Sequence, residues 1–596
     1  MEILCYTRKP EEDAVYGCHM AYSMHLGYRG DNGTFRPFHH NEGILYAKAA
    51  ENVSNGVLDA RSMKNPWIFA LEEGGYGVMA VRTRAGGEED PDSRGCVLFF
   101  TSRDLVHYEE IGLCRLDQSE CIREVRCLYR EESRNYRICF QTEGNVWKEG
   151  CCTPDGEGNL QLQEDSVREV AAPEISHGIP SREELEAIRG CVPGNCIQIP
   201  EDMASYLLKK LLVPVFMRME LSEKGPFADE EAVRKVKAAA YYSDGSRVER
   251  RIDWEAPQGK TMRGRVHQET LPAPFAENRA DPVCMYRDGK YYFLATNDAD
   301  GNHTLYMRCA DTLEGIVEAE ETLFLDSDTY PGIRGLLWAP EFHEVGGRLY
   351  VFHAATSGEF FCEESRVRQL REGGDPVCRE DWSEPRLVVR KDGSPLCEEG
   401  KVISLDMTVF EHEGKVYAMW SQRQFLPVDQ GAWLYLAQVD EREPWKLLSD
   451  PVCVAKPEYG WENNHTYVVE GPYALKKNGR LMVTYAAAAV DSTYTVGLLK
   501  LREGGDILDS ASWTKSNYPL MSSSSAEGQY GPGHNSYVTD ENGLVWNFYH
   551  MRAGLKAPRS SAARRVHFDI DGEPMLDVTE ELDLPEAYRW VEAALK

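Results

Sequence analysis

The sequence predicts an all-β protein that ends in a five-bladed β-propeller, and three observations carry that prediction. A glycine turn leading straight into an apolar, aromatic-rich strand occurs five times, at Gly289, Gly347, Gly414, Gly479 and Gly543. These glycines stand 58 to 67 residues apart, a spacing that marks a radial or stacked repeat. Each unit is turn plus strand, which points to propeller blades rather than a helical solenoid.

The repeats take up residues from about 266 to 596. Their strands read Tyr291-Tyr292-Phe293, Leu349-Tyr350-Val351-Phe352, Val416-Tyr417-Ala418-Met419-Trp420, Leu481-Met482-Val483-Thr484-Tyr485 and Val545-Trp546-Asn547-Phe548-Tyr549. The strand near Arg565-Val566-His567 is expected to help close the ring, and Val578 to Leu595 to form a surface element or short helix. Residues 1–165 read as an N-terminal β-rich domain, either a partial propeller or a sandwich. There Pro66 to Val81 forms a hairpin around Gly74-Gly75, and Gly95 to Ser102 continues it. Residues 166–265 read as a small Ig-like or linker module. Within it, Ser181 with Glu184 three residues on predicts a capped short helix.

Composition narrows the function. The chain has 596 residues, 42% of them apolar, with 50 Gly and 30 Pro, which suits several turn-rich β cores. A net charge of −31 argues against a nucleic-acid partner and is compatible with a neutral ligand such as a sugar. No apolar run is long enough to span a bilayer, so no membrane partner is expected. The first nine residues lack the pattern of a secretory leader, and 17 scattered cysteines read as free thiols. Both point to a cytoplasmic protein. His19, His25, His39 and His40 show no metal-ligand spacing and read as ordinary packed or surface histidines.

In a propeller the first strand of each blade lines the central channel. Eight or nine residues before each turn glycine stand Asp281, Trp338, Asp406, Glu470 and His534. Any one acid among 97 is by default a solvated surface group. Three at matching places in separate repeats point to one shared site. Purely structural axial hydrogen bonding is the alternative.

The segments around them, Arg279-Ala280-Asp281-Pro282, Trp338-Ala339-Pro340-Glu341, Ser404-Leu405-Asp406, Glu470-Gly471-Pro472 and Gly531-Pro532-Gly533-His534-Asn535-Ser536, resemble glycoside hydrolase family 43, in particular its α-L-arabinofuranosidase-like members. The resemblance covers about 275 to 570 and leaves the first 265 residues unexplained. It implies an inverting glycosidase; exo action on a small oligosaccharide follows from the expected cytoplasmic location, where imported fragments rather than polymer are met. Asp281 is then the general base, Glu470 the general acid and Asp406 the residue that tunes the acid. Trp338, Glu341, His534 and Arg565 become substrate-binding residues, with Arg552 a further candidate; surface or structural ion pairs are the alternative for the arginines. Packing between blades is the alternative for Trp338. The resemblance also implies a structural calcium ion near His534, with an unmetallated axial histidine as the alternative, and no cofactor for the chemistry itself. A β-D-xylosidase or β-D-galactofuranosidase on the same scaffold is the nearest rival. A non-catalytic sugar-binding propeller is a second, and a mannoside phosphorylase, which needs a basic phosphate site, a third. Oligomeric state is not legible.

Overall fold

In a computed structural model of the chain, all residues are described except 12–14, 156–157, 174 and 176–179. The chain divides into two compact units. One holds residues 1–212, 457–467 and 516–519, and the other holds 213–456, 468–515 and 520–596.

The first unit is built of antiparallel sheets. Arg61–Ala70, Tyr76–Arg84, Cys96–Ser102 and Tyr108–Arg115 form a four-stranded meander, which contains the expected hairpin. A second sheet centres on Ile122–Arg130, Asn135–Thr142 and Trp147–Pro154. Alternating residues from both sheets make one core, with Trp67, Phe69, Phe99, Ile138 and Phe140 fully or nearly fully buried. A third sheet pairs Glu2–Arg8 with Cys191–Gln198. The stretch expected as a separate module from residue 166 is therefore divided, because Cys191–Gln198 finds its partner at the N-terminus. The helix predicted at 181–188 is a run of turns. Ser181 and Glu184 do cap each other reciprocally, at 2.7 and 3.3 Å. The backbone bonds that follow join residues three apart and never reach a helical ladder.

In the second unit, residues 216–266 form two three-stranded sheets. One of them is completed by Trp590–Ala594 from the far end of the chain. The C-terminal stretch expected as a surface element or short helix holds a one-turn helix, Glu580–Asp583, and then a paired strand. Its Leu584 and Ala593 share a core with Val233, Trp254 and Met262.

The rest of this unit is a ring of five four-stranded blades. Their first strands are Arg279–Arg287, Gly335–Val345, Val402–His412, Val469–Lys477 and Tyr530–Thr539. Each touches the next, and the fifth touches the first, so they enclose the axis. The turn glycines all have positive φ, from +73° to +81°, the left-handed region that glycine reaches without a Cβ clash. The strand ending at Arg565 takes part in closing the ring, as expected. The two-residue strand Ala276–Glu277, which precedes blade 1, supplies the outer strand of blade 5 by pairing with Ser560–Arg565. Apolar side chains fill the seams between blades, as with Phe352, Val367, Met407 and Trp420 between blades 2 and 3. Truncating a fully buried aromatic such as Trp420 costs about 3–5 kcal/mol.

Strand direction places the site. The turn glycines join first to second strands at one end of the ring. The candidate acids lie near the starts of the first strands, at the other end. The loops from second to third strand arrive at that same end.

Candidate active site on the propeller axis

Every first strand breaks register with its neighbour at an equivalent point: Ala280/Val283, Trp338/Glu341, Leu405/Thr408, Glu470/Tyr473 and Gly533/Ser536. Inside each break one residue takes a left-handed backbone: Asp281 (φ +49°), Ala339 (+45°), Asp406 (+55°), Gly471 (+53°) and His534 (+53°). Such bulges re-aim a side chain, at a cost of order 1–3 kcal/mol per strained non-glycine residue. The five sequence-predicted positions therefore split into two sets. Asp281, Asp406 and His534 occupy the strained position. Trp338 and Glu470 stand one residue earlier, on the regular side of the bulge.

Asp281 is 5% exposed and surrounded by cations and imidazoles. Arg559 Nη1 donates to its Oδ1 at 3.1 Å, while the same guanidinium forks onto Asp298 at 2.9 and 2.8 Å. His550 Nδ1 lies 3.0 Å and His534 Nδ1 3.3 Å from Asp281 Oδ1. Burial raises the Asp281 pKa, but Arg559, His534 and His550 together outweigh it and hold the carboxyl well below its usual range.

Glu470 is set up the other way. It is half-buried, and its one direct bond is the Tyr494 hydroxyl donating to Oε1 at 2.6 Å. Burial raises its pKa, the Tyr494 bond and His534 lower it, and the charge of Asp281 raises it again; the net direction is up. Asp406, 3% exposed, accepts the N–H of Gly471 at 3.0 Å and so ties blade 3 to the residue beside Glu470. Burial pushes Asp406 up to about 8, against the pull of His534 and with the help of Glu470 and Asp281. Gly471 is required twice over: its backbone is left-handed, and a Cβ there would meet the His534 ring at 3.0 Å.

His534 faces all these acids. Burial opposes its charge, yet Asp281, Asp406, Glu470 and Glu341 raise its pKa and favour the imidazolium. His550 is driven the other way, down to about 4 by burial, and is neutral. Its ring stacks on Tyr494 at 5.3 Å.

The remaining predicted residues fare differently. Trp338 is half-buried near the same end of the axis, and among the described residues its indole Nε1 has no partner. Glu341 is 4% exposed and lies 2.7 Å from His343 Nε2, so it bonds within its own strand. Arg565 is not in the site. Its guanidinium forks onto Asp583 at 2.9 and 2.5 Å, beside Arg250, and fastens the C-terminal segment. The third strand of blade 5 buries every residue from Ser560 to Arg565, which turns Arg565 inward to that acid. Arg552 is likewise held by the carbonyls of Ala557 and Val490. The guanidinium at the acids belongs to Arg559, and sequence reasoning missed it together with Asp298, Tyr494 and His550. Arg559, Asp298 and Tyr494 lie on the second-to-third-strand loops, or at their ends, where no fixed spacing to the turn glycine exists.

The calcium implied near His534 fits these residues poorly. Calcium takes six to eight oxygen ligands. His534 offers nitrogen, and one of its two nitrogens already faces Asp281. Among the described residues the one group of three potential ligands is Glu89, Cys121 and Glu143, in the first unit. Arg559 and His534, whose pKa the surrounding acids raise, bring positive charge toward the axis.

Carboxyls whose pKa values are pushed in opposite directions at one end of a five-bladed propeller are the equipment of a glycoside hydrolase. Comparison with known proteins agrees. The chain belongs to glycosyl hydrolases family 43, whose profile matches residues 272–574. It is 34% identical over 285 residues to an extracellular exo-α-(1→5)-L-arabinofuranosidase of Streptomyces chartreusis, covering 47% of this chain and 83% of that protein. It is 32% identical over 315 residues to the protein of the same name from Streptomyces avermitilis, covering 51% of this chain and 63% of that one. Among solved structures, an α-L-arabinofuranosidase from Lactobacillus brevis is 30% identical with a TM-score of 0.46, covering 51% of this chain and 95% of that one.

Two of these relatives are named extracellular, which overturns the expected cytoplasmic location. The cysteines misled for a physical reason. None of the 17 is joined in a disulfide, but ten are buried and shielded from oxidants, so their presence reports packing rather than compartment. Among the described residues no helix is long and apolar enough to cross a membrane.

Proposed function

We propose that the protein releases terminal L-arabinofuranose from oligosaccharides with inversion of configuration. In this reading Asp281 is the general base, Glu470 the general acid and Asp406 the group that tunes it. The observation that carries the reading is the opposite drive on two acids in one site. Asp281 is kept ionised by Arg559 and two histidines, as a group that must take a proton from water should be. Glu470 is kept protonated by burial and by the charge of Asp281, as a group that must give a proton to the leaving oxygen should be. Asp406 supports Glu470 through the Gly471 N–H and shares its charge balance. The arabinose specificity and exo action rest on the names of the two Streptomyces relatives.

A panel of nitrophenyl α-L-arabinofuranoside, β-D-xyloside and β-D-galactofuranoside tests the sugar, with Glu470→Gln as the control. The arabinofuranoside is expected to turn over fastest, and the variant to lose turnover of natural oligosaccharides. Faster cleavage of either other glycoside moves the assignment to that sugar. Proton NMR of the first-formed anomer tests inversion. A product that keeps the substrate's configuration removes the roles given to Asp281 and Glu470.

A further inference from the structure

Resting on that reading, we propose that Phe361 and Phe425 form a platform that stacks an outer sugar residue of the oligosaccharide, beyond the residue being released. A chain of rings leads outward from Trp338. Phe360 lies 6.1 Å from it, Phe361 5.5 Å from Phe360, and Phe425 5.6 and 5.0 Å from those two. These phenylalanines stand on the second-to-third-strand loops of blades 2 and 3, at the end of the ring where the acids lie. Phe360 and Phe361 are 39% and 43% exposed, and the neighbouring Leu426 is 52% exposed. A soluble surface exposes such a contiguous patch for a reason.

Three features point to sugar as the occupant. The patch is continuous with the candidate active site through Trp338, whose buried Nε1 has no partner among the described residues and offers a hydroxyl a donor. Phe361 and Phe425 meet edge to face at 89°, which leaves ring faces turned in different directions for the C–H faces of successive sugars. Arg423 covers one face of Phe425, its Cζ 4.9 Å from the ring centroid, and is itself forked onto Asp429 at 3.0 and 2.6 Å, which holds the ring with its other face outward and a polar group at its edge. A rigid aromatic floor with polar edges matches a ring that is apolar on its faces and hydroxylated around its rim.

The test uses the full chain and the conservative variants Phe361→Leu and Phe425→Leu, which keep apolar bulk and remove the π face. KM and kcat are measured on linear arabinofuranose and xylose oligosaccharides of two, three and four units. Each variant is expected to raise KM for the longer members roughly three- to tenfold while the disaccharide changes by less than about twofold and kcat holds. Tyr at either position is expected to restore the chain-length preference. Calorimetric binding of the same series to Glu470→Gln reads the platform without turnover. Equal effects at every length, or none, in both assays overturn the platform. If the wild type cleaves only the xylose series, the arabinose reading fails and the platform is judged on that series by the same criterion.

Discussion

Blades 1 and 4 use the same bulged first strand to opposite ends. In blade 1 the acid is the strained residue itself, Asp281, turned into a nest of Arg559, His534 and His550. In blade 4 the strained residue is Gly471, and the acid stands one step earlier as Glu470, half-open with a single tyrosine bond. One shift along the strand thus separates a carboxyl held ionised from one held neutral. The backbone device is shared, and the choice of residue inside it sets the charge.

The largest effect comes from removing either carboxyl. Asp281→Asn and Glu470→Gln are each expected to lower kcat on natural oligosaccharides by roughly 10²–10⁴-fold, the usual worth of a general acid or base. Azide separates the two. It can replace the missing base or nucleophile on the side of Asp281→Asn, and it should do nothing for Glu470→Gln on a substrate with a poor leaving group. Equal rescue of both would erase the contrast between the blades.

Next comes the cation that makes blade 1 different. Arg559→Gln removes the main opposite charge from Asp281, whose pKa should then rise. In the proposed role Asp281 acts as its carboxylate, so the acidic limb of the kcat/KM profile moves to higher pH; Arg559 also lowers the Glu470 pKa, so the basic limb moves up as well, by less. The variant also leaves Asp298 without its fork, and a loss of about 3 kcal/mol in stability is expected. An unmoved acidic limb would mean that the histidines alone hold Asp281 ionised.

A smaller shift, of opposite sign, is expected on the other side. Asp406→Asn keeps an acceptor for the Gly471 N–H but cannot carry charge. Glu470 then loses its coupling to a neighbouring carboxyl, and the basic limb should fall. Movement of the acidic limb instead would place Asp406 with the base.

How much of this was legible follows from the bulge. The five turn glycines gave the blade count and led to the axis, because a hairpin glycine stands at a nearly fixed distance from the inner strand. Counting alone could not tell Asp281 from Glu470, since a bulge adds a residue that pattern does not reveal. Arg559 was missed because it sits in a loop, where length varies and no periodicity guides the eye. Arg565 was preferred because it stands in a strand beside Arg564, and its true partner, Asp583, lies in a segment taken for surface. The rearrangement at the module border has the same cause: Cys191–Gln198 pairs with residues nearly two hundred positions away. Such pairings are set by burial of both faces together, which a local reading does not sample.

The smallest predicted effect concerns a fourth acid, Glu363, at the start of the third strand of blade 2. It is fully buried, and among the described residues neither of its oxygens has a partner. Burial pushes its pKa well above the usual carboxylate range, with Arg366 pulling it down and Asp406 pushing it up. The folded protein therefore keeps this proton to higher pH than the unfolded chain, which releases it near the ordinary value of about 4.3. The resulting stability is fully present below that value and drains away as pH rises toward the folded pKa, at about 1.4 kcal/mol per pH unit. Asp406, also raised, adds to the same slope. Glu363→Gln cannot ionise in either state. Its urea midpoint should therefore fall less between pH 5 and pH 7 than that of the wild type, with kcat unchanged. Equal slopes in the two proteins would show that Glu363 is ionised when folded, and that the seam between blades 2 and 3 holds a counter-charge for it.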